Sequence, residues 1–178
     1  MMQSYTYSIF SSMAIAIHLI INFDQLTGRG VLIARGMHYR GFLMGILAYY
    51  MTDALWGILA GLGWTRILYV DTVFFFLALV AFVFLWCRFV IAYLDLDKWM
   101  ARMLTWFGHA LLAFNLVVLA VNPFNDCFFY FDKQGGYVTT ALRDLAFYLL
   151  VVFNILIAVS VLVKSLGNRD SVRRRSMM

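Results

Sequence analysis

Asp53 is the residue with the most chemical promise in this chain. It stands in Tyr49-Tyr50-Met51-Thr52-Asp53-Ala54-Leu55-Trp56-Gly57, within an apolar run from Gly41 to Gly63. At helical spacing Tyr49, Tyr50, Trp56 and Gly57 lie three or four residues from the acid and share its face. A carboxyl group ringed by aromatic side chains, two of them carrying hydroxyls, suits a cation or a small hydrogen-bonding molecule. Asp71, Asn115 and Tyr130 are expected to converge with Tyr49, Asp53 and Trp56 on one cavity, because Asp53 and Asp71 lie toward the same end of consecutive apolar runs. The structural alternative is that Asp53 accepts hydrogen bonds from Tyr49, Tyr50 or a neighbouring helix and merely fixes packing.

Other chemistry is absent from the pattern. The chain contains no His-x-x-x-His or Cys-x-x-Cys spacing and no phosphate-binding glycine loop, and His18, His38 and His109 are far apart. Neither catalytic residues, a metal nor a cofactor is expected, so these residues are not read as an enzyme.

The elements that must position the candidates are membrane spans. The 178 residues are 64% hydrophobic with a mean hydropathy of +0.85, well above a soluble domain of this size. Apolar runs predict an all-α membrane protein, a single domain over 1–178, with spans at about 5–23, 41–63, 67–94, 104–121 and 145–163. An acid inside such a span must face other helices or water, never lipid. His18 is expected to bond to a neighbouring helix, and Asn115 and Asn122, on one face of the fourth span, to bond between helices. Pro123 is expected to close that span. Between the fourth and fifth spans, aromatic and β-branched residues flank Lys133-Gln134-Gly135-Gly136, which predicts a short β-hairpin across the mouth of the bundle, as a lid or a plug.

The charges orient the chain. All nine acids are Asp. Ten of the 14 bases fall in the first and third loops and the C-terminal segment, against Arg66, Lys133 and Arg143 on the other side. This asymmetry predicts a C-terminus in the cytoplasm and an N-terminus and hairpin outside. Arg173, Arg174 and Arg175, directly after a span, read as a contact with anionic lipid at the membrane surface, which leaves no reason to invoke nucleic acid. Arg88 is expected to snorkel or to pair with Asp95. Cys87 and Cys127, at opposite ends of the bundle, are not expected to pair.

Three stretches carry a family resemblance: Tyr49 to Gly63, then Trp86-Cys87-Arg88-Phe89 with Ala92-Tyr93-Leu94-Asp95, and then Asn122-Pro123-Phe124 with Cys127-Phe128-Phe129-Tyr130-Phe131-Asp132. The chain resembles the N-terminal multi-pass sensor region of bacterial membrane signalling proteins, which is similar to seven-helix histidine-kinase and diguanylate-cyclase receptor domains. The resemblance implies a location in the bacterial cell membrane, an external small-molecule or membrane signal, a cytoplasmic output domain of kinase or cyclase type, and a possible homodimer. Members of that type continue past the basic segment into further spans and an output domain, whereas this sequence stops at Met178, so a fragment or a truncated relative is expected. The rival class is a small multi-pass transporter that uses Asp53 and Asp71 for cation or proton coupling.

Overall fold

The computed structural model describes the backbone of residues 2–28 and 34–175, and the side chains of residues 6, 8–28 and 37–166. Five long helices carry the chain: α1 (Met2–Leu26), α2 (Ala34–Leu62), α3 (Thr65–Leu94), α4 (Lys98–Asn125) and α5 (Ala141–Arg175). A two-stranded hairpin, β1 (Phe129–Phe131) and β2 (Tyr137–Thr139), sits between α4 and α5. All five helices are long and apolar enough to cross a membrane, matching the five expected spans. Each begins or ends beyond the purely apolar stretch. Lys98–Met103, expected as a polar loop, forms the first turns of α4, because backbone hydrogen bonding continues where side chains turn polar. Pro123 does not close α4 either. It lies in the last turn, and the helix runs on to Asn125 before Asp126 caps it in the left-handed conformation (φ 51°).

The hydrophobic core belongs to α3, α4 and α5. Val80, Val83, Cys87 and Val90 of α3 meet Leu104 and Leu111 of α4 and Phe153 and Ile157 of α5. Close approach is essential in one place: a Cβ on Gly108 would come within 2.6 Å of the Phe84 ring and 3.2 Å of Phe153. At the end of this three-helix unit, Phe128 and Phe129 are buried against Phe76, Val118, Leu119 and Ala146. The base of the hairpin is therefore seated between the helices by these two rings, while its turn stays exposed.

The α2 and α1 helices are added to one side of α3. Residues 75, 82, 85 and 89 form the α2-facing stripe of α3, at the three- and four-residue steps of a helix face. Tyr49 packs on Phe75 and Phe82 (centroids 5.2 and 5.4 Å), and Phe42 on Trp86 and Phe89. The Gly41/Gly45 pair faces this seam, with a Cβ on Gly45 only 3.0 Å from the Phe82 Cβ.

Helix α1 reverses the soluble rule. Among its described side chains the buried ones are Ser8, Ser11 and His18, while Ile9, Phe10, Met13, Ile17, Ile20 and Ile21 are exposed. In a bilayer this is the favourable arrangement, because apolar side chains meet acyl chains and polar ones must find partners inside.

Candidate functional site

The polar stripe of α1 locks onto α2. The Ser8 hydroxyl donates to the Ala54 carbonyl at 2.8 Å, and the Ser11 hydroxyl donates to Oδ2 of Asp53. Further along, His18 Nε2 lies 3.1 Å from the Leu43 carbonyl, and the Tyr39 hydroxyl donates to Asn22 Oδ1 at 3.3 Å. His18 thus bonds to a neighbouring helix, as its position suggested. Asp53 also takes its partner from a neighbouring helix, and that partner is Ser11. Residues 8, 11, 18 and 22 follow steps of three, seven and four, a helix-face pattern visible in the sequence but masked by the uniform hydropathy of the run.

Asp71 approaches the same seam from α3. It falls four residues before Phe75 and so continues the α2-facing stripe. The next residue, Thr72, accepts a hydrogen bond from Trp56 Nε1 at 3.2 Å and donates to the Leu68 carbonyl at 2.7 Å. Trp56–Thr72 on one side and Tyr49–Phe75 on the other bracket Asp53, which lies between Tyr49 and Trp56 on α2, beside the Asp71 level of α3. Asp71 is only 7% exposed, and its Oδ2 has no hydrogen-bond partner among the described residues.

Four of the six candidates are therefore together: Tyr49, Asp53, Trp56 and Asp71. The other two lie elsewhere. Asn115 is buried on the α4 side of α3 and donates within its own helix to the Leu111 carbonyl at 2.9 Å. It lines a cavity of about 20 Å³ with Phe76, Val80, Phe128 and Leu150, space for about one water molecule. Tyr130 is 38% exposed, because the hairpin alternation that buries Phe129 turns its neighbour outward. Tyr130 lines a separate open recess of about 350 Å³ with Arg66, Tyr69 and Asp126. The expected single cavity is thus divided, because α3 and the hairpin stand between its parts. The backbone of α5 continues through Arg173, Arg174 and Arg175, whose side chains lie outside the described residues.

The roof over this region is held by Asn122, which is fully buried. Its amide nitrogen donates to the Tyr69 hydroxyl (2.9 Å) and the Phe129 carbonyl (3.0 Å). Its oxygen accepts from the backbone N–H groups of Phe128 (2.7 Å) and Phe129 (3.2 Å). One side chain thus ties α4 to α3 and to the hairpin. Thr140 fixes the other end of the hairpin. Its hydroxyl shares its one hydrogen between the carbonyls of Cys127 (2.6 Å) and Phe128 (2.8 Å) and accepts from Arg143 N–H (3.4 Å) at the start of α5. The Asp132 carboxylate closes the turn by accepting from Gln134 and Gly136 N–H. The Tyr137 ring meets Trp56 edge-on at 6.2 Å, so the hairpin touches the α2 residue one turn from Asp53.

At the opposite end of the bundle, Lys164 of α5 lies 3.5 Å from Asp97, in the short link between α3 and α4. Arg88 stacks over Phe84 at 6.0 Å. Among the described residues no ion pair joins it to Asp95, which is instead the left-handed cap of α3 (φ 48°). Cys87 and Cys127 are both free thiols. Among the described residues no three His, Cys, Asp or Glu side chains cluster as a metal shell requires. No family model, curated protein or solved structure matches the chain.

Proposed function

We propose that this chain is the sensory region of a multi-pass receptor in a bacterial cell membrane, with its N-terminus and hairpin outside and its C-terminus in the cytoplasm. The stimulus, a small molecule or a membrane signal, acts at the Tyr49–Asp53–Trp56–Asp71 cluster. It biases how α1 and α2 sit against the α3–α4–α5 unit and so regulates a cytoplasmic output of histidine-kinase or diguanylate-cyclase type. Such a receptor responds only if the stimulus favours one of two arrangements by differential affinity. A polar seam built of exchangeable hydrogen bonds supplies a boundary at which two arrangements can compete.

The observation that carries this reading is α5. It is one uninterrupted helix of 35 residues from the hairpin to the basic segment, about 52 Å at 1.5 Å per residue. Thr140 couples its first turn directly to the hairpin, and the hairpin touches Trp56. The excess of bases near its far end supports a cytoplasmic placement, and Arg173, Arg174 and Arg175 suit contact with anionic lipid.

Pairing of chains belongs to the same reading. Asn154, midway along α5, is exposed among Val151, Val152, Ile155 and Val159. One amide hydrogen is used within the helix, on the Leu150 carbonyl at 3.0 Å. A carboxamide facing acyl chains is unfavourable, and a second copy of α5 offers it hydrogen bonds.

The transporter reading is favoured by one observation, the unpartnered Asp71 carboxylate. Reconstitution in liposomes separates the two. Sodium or proton flux down an imposed gradient, lost in Asp53→Asn, ends the sensory reading. The absence of flux, together with a kinase or cyclase domain encoded in the frame after codon 178, supports it.

A further inference from the structure

We propose that the recess between the hairpin and the start of α3 holds the headgroup of a phospholipid that carries both a phosphate and a primary ammonium, as an ethanolamine phospholipid does. The site is separate from the Tyr49–Asp53–Trp56–Asp71 cluster and stands independently of the sensory reading. Its central observation is an open cavity of about 350 Å³ lined by Thr65, Arg66, Tyr69, Asp126, Tyr130 and Phe131, within the range of about 300–1,000 Å³ that small-ligand sites occupy. A base and an acid line one space. Among the described residues no ion pair joins them, and no side-chain hydrogen bond engages either. Each is placed by the fold. Arg66 is in the first turn of α3, with Tyr69 three residues on along the same face. Asp126 is the left-handed cap of α4 (φ 51°). The hairpin supplies the other wall: strand alternation turns Tyr130 outward, and a Cβ on Gly135 would lie 3.5 Å from Thr65 Oγ1. The Tyr69 hydroxyl accepts from Asn122 at 2.9 Å, which leaves its own hydrogen for an acceptor in the recess.

Opposite charges on one recess select a ligand that carries both. The Arg66 guanidinium is a planar fork that matches phosphate oxygens. The Asp126 carboxylate accepts N–H bonds, which a primary ammonium gives and a quaternary one lacks. Two neighbouring features commit this headgroup to a lipid rather than to a free solute. A second open recess, of about 540 Å³, is lined by Gly63, Trp64, Thr65, Arg66 and Ile67, so it shares Thr65 and Arg66 with the first. Its remaining side chains are apolar, and Trp64 and Ile67 are more than half exposed. A polar recess beside an apolar shelf has the form of an amphiphile. The level agrees: both recesses lie where α2 and α3, each long and apolar enough to cross a membrane, are joined through Gly63 and Trp64, and indole rings favour the headgroup level.

The test uses the full chain in dodecyl maltoside micelles. Its thermal midpoint is followed as dioleoyl phosphatidylethanolamine, phosphatidylcholine or phosphatidylglycerol is added. A lipid held by the folded state raises the midpoint with its concentration. The ethanolamine lipid is expected to reach half-effect at a concentration about tenfold below the other two, because one lacks ammonium N–H groups and the other lacks the cation. Arg66→Gln should move the half-effect upward by about tenfold for all three, since all carry phosphate. Asp126→Asn, whose new side chain tolerates the left-handed cap, should bring the ethanolamine lipid to the level of the choline lipid. Arg66 and Asp126 are exposed, so the lipid-free midpoints of both variants should stay close to that of the unmodified chain. Lys133→Gln, on the hairpin turn outside the recess, should follow the unmodified chain throughout. Equal half-effects for the three lipids overturn the proposal, as does a preference that survives Asp126→Asn or a response unchanged in Arg66→Gln. So does glycerophosphoethanolamine, the same headgroup without acyl chains, acting at the concentration of the lipid, which would mark a site for a soluble zwitterion.

Discussion

Replacing Asn122 by Leu should release the hairpin while leaving the five helices in place. The side chain is fully buried and makes four hydrogen bonds, two as donor and two as acceptor. Leu has the same branched skeleton but is bulkier, so no cavity opens and any overpacking adds to the polar term, which sets the lower bound. The N–H groups of Phe128 and Phe129 lose their acceptor, and each orphaned buried donor costs about 1–3 kcal/mol, so the pair costs about 2–6 kcal/mol. Burial of the Phe128 and Phe129 rings opposes release with about 1.5–3 kcal/mol each, which is of the same size. Detachment should therefore remain a minority event that becomes far more frequent. At 1.4 kcal/mol per tenfold, even the lower bound raises the open population roughly 30-fold. Amide exchange of residues 127–140 in nanodiscs reads this directly, since protection reports the opening equilibrium. Thiol labelling of Cys127 is a second probe, with buried Cys87 as the internal control. Asn122→Asp should fall between, because it keeps both acceptor contacts and loses both donors. Unchanged exchange in Asn122→Leu would refute the reasoning and show that ring burial alone seats the hairpin.

Three further outcomes are expected. Gly108→Ala should destabilise the α3–α4–α5 unit by about 1–3 kcal/mol, typical of overpacking, because its Cβ would sit 2.6 Å from the Phe84 ring; a Phe84→Leu background should recover most of the loss in a melting experiment. Asn154→Leu should weaken self-association measured by energy transfer between labelled chains in liposomes, while leaving the unfolding free energy of the single chain within about 0.5 kcal/mol, as for a substitution outside the core. Burial holds the Tyr137 hydroxyl above its usual value near 10, with Arg143 offsetting part of the rise. A raised value means that the neutral form is favoured in the docked hairpin. Its contribution should be complete below about pH 10 and decline as pH rises past that point, read as faster exchange at residues 137–139 than base catalysis alone produces.

Much of the architecture could be read from local pattern. The five apolar helices, the hairpin at Gly135 and the inter-helix bond of His18 all follow from run length, turn chemistry and helical period. What escaped was partnership. Ser11 is a small polar residue in an apolar run, and nothing local marks it as the donor to Asp53. Asn115 and Asn122 share a face of α4, yet the first bonds only to its own helix while the second organises the hairpin. That difference depends on whether a chain segment with free N–H groups arrives opposite.

The amino-acid sequence by itself determined that this chain carries five helices long and apolar enough to cross a membrane and where it turns between them, because lipid forbids unpaired backbone and length and hydropathy suffice to mark such helices. Tertiary structure alone decided which candidates meet. Asp71 turns to α2 and Asn115 to the far side of α3, and Tyr130 faces outward while Phe129 is seated between the helices. In a chain whose surface is as apolar as its core, hydrophobicity no longer distinguishes inside from outside. Only the packing of helix faces, and the few hydrogen bonds between them, can assign each polar residue its neighbour.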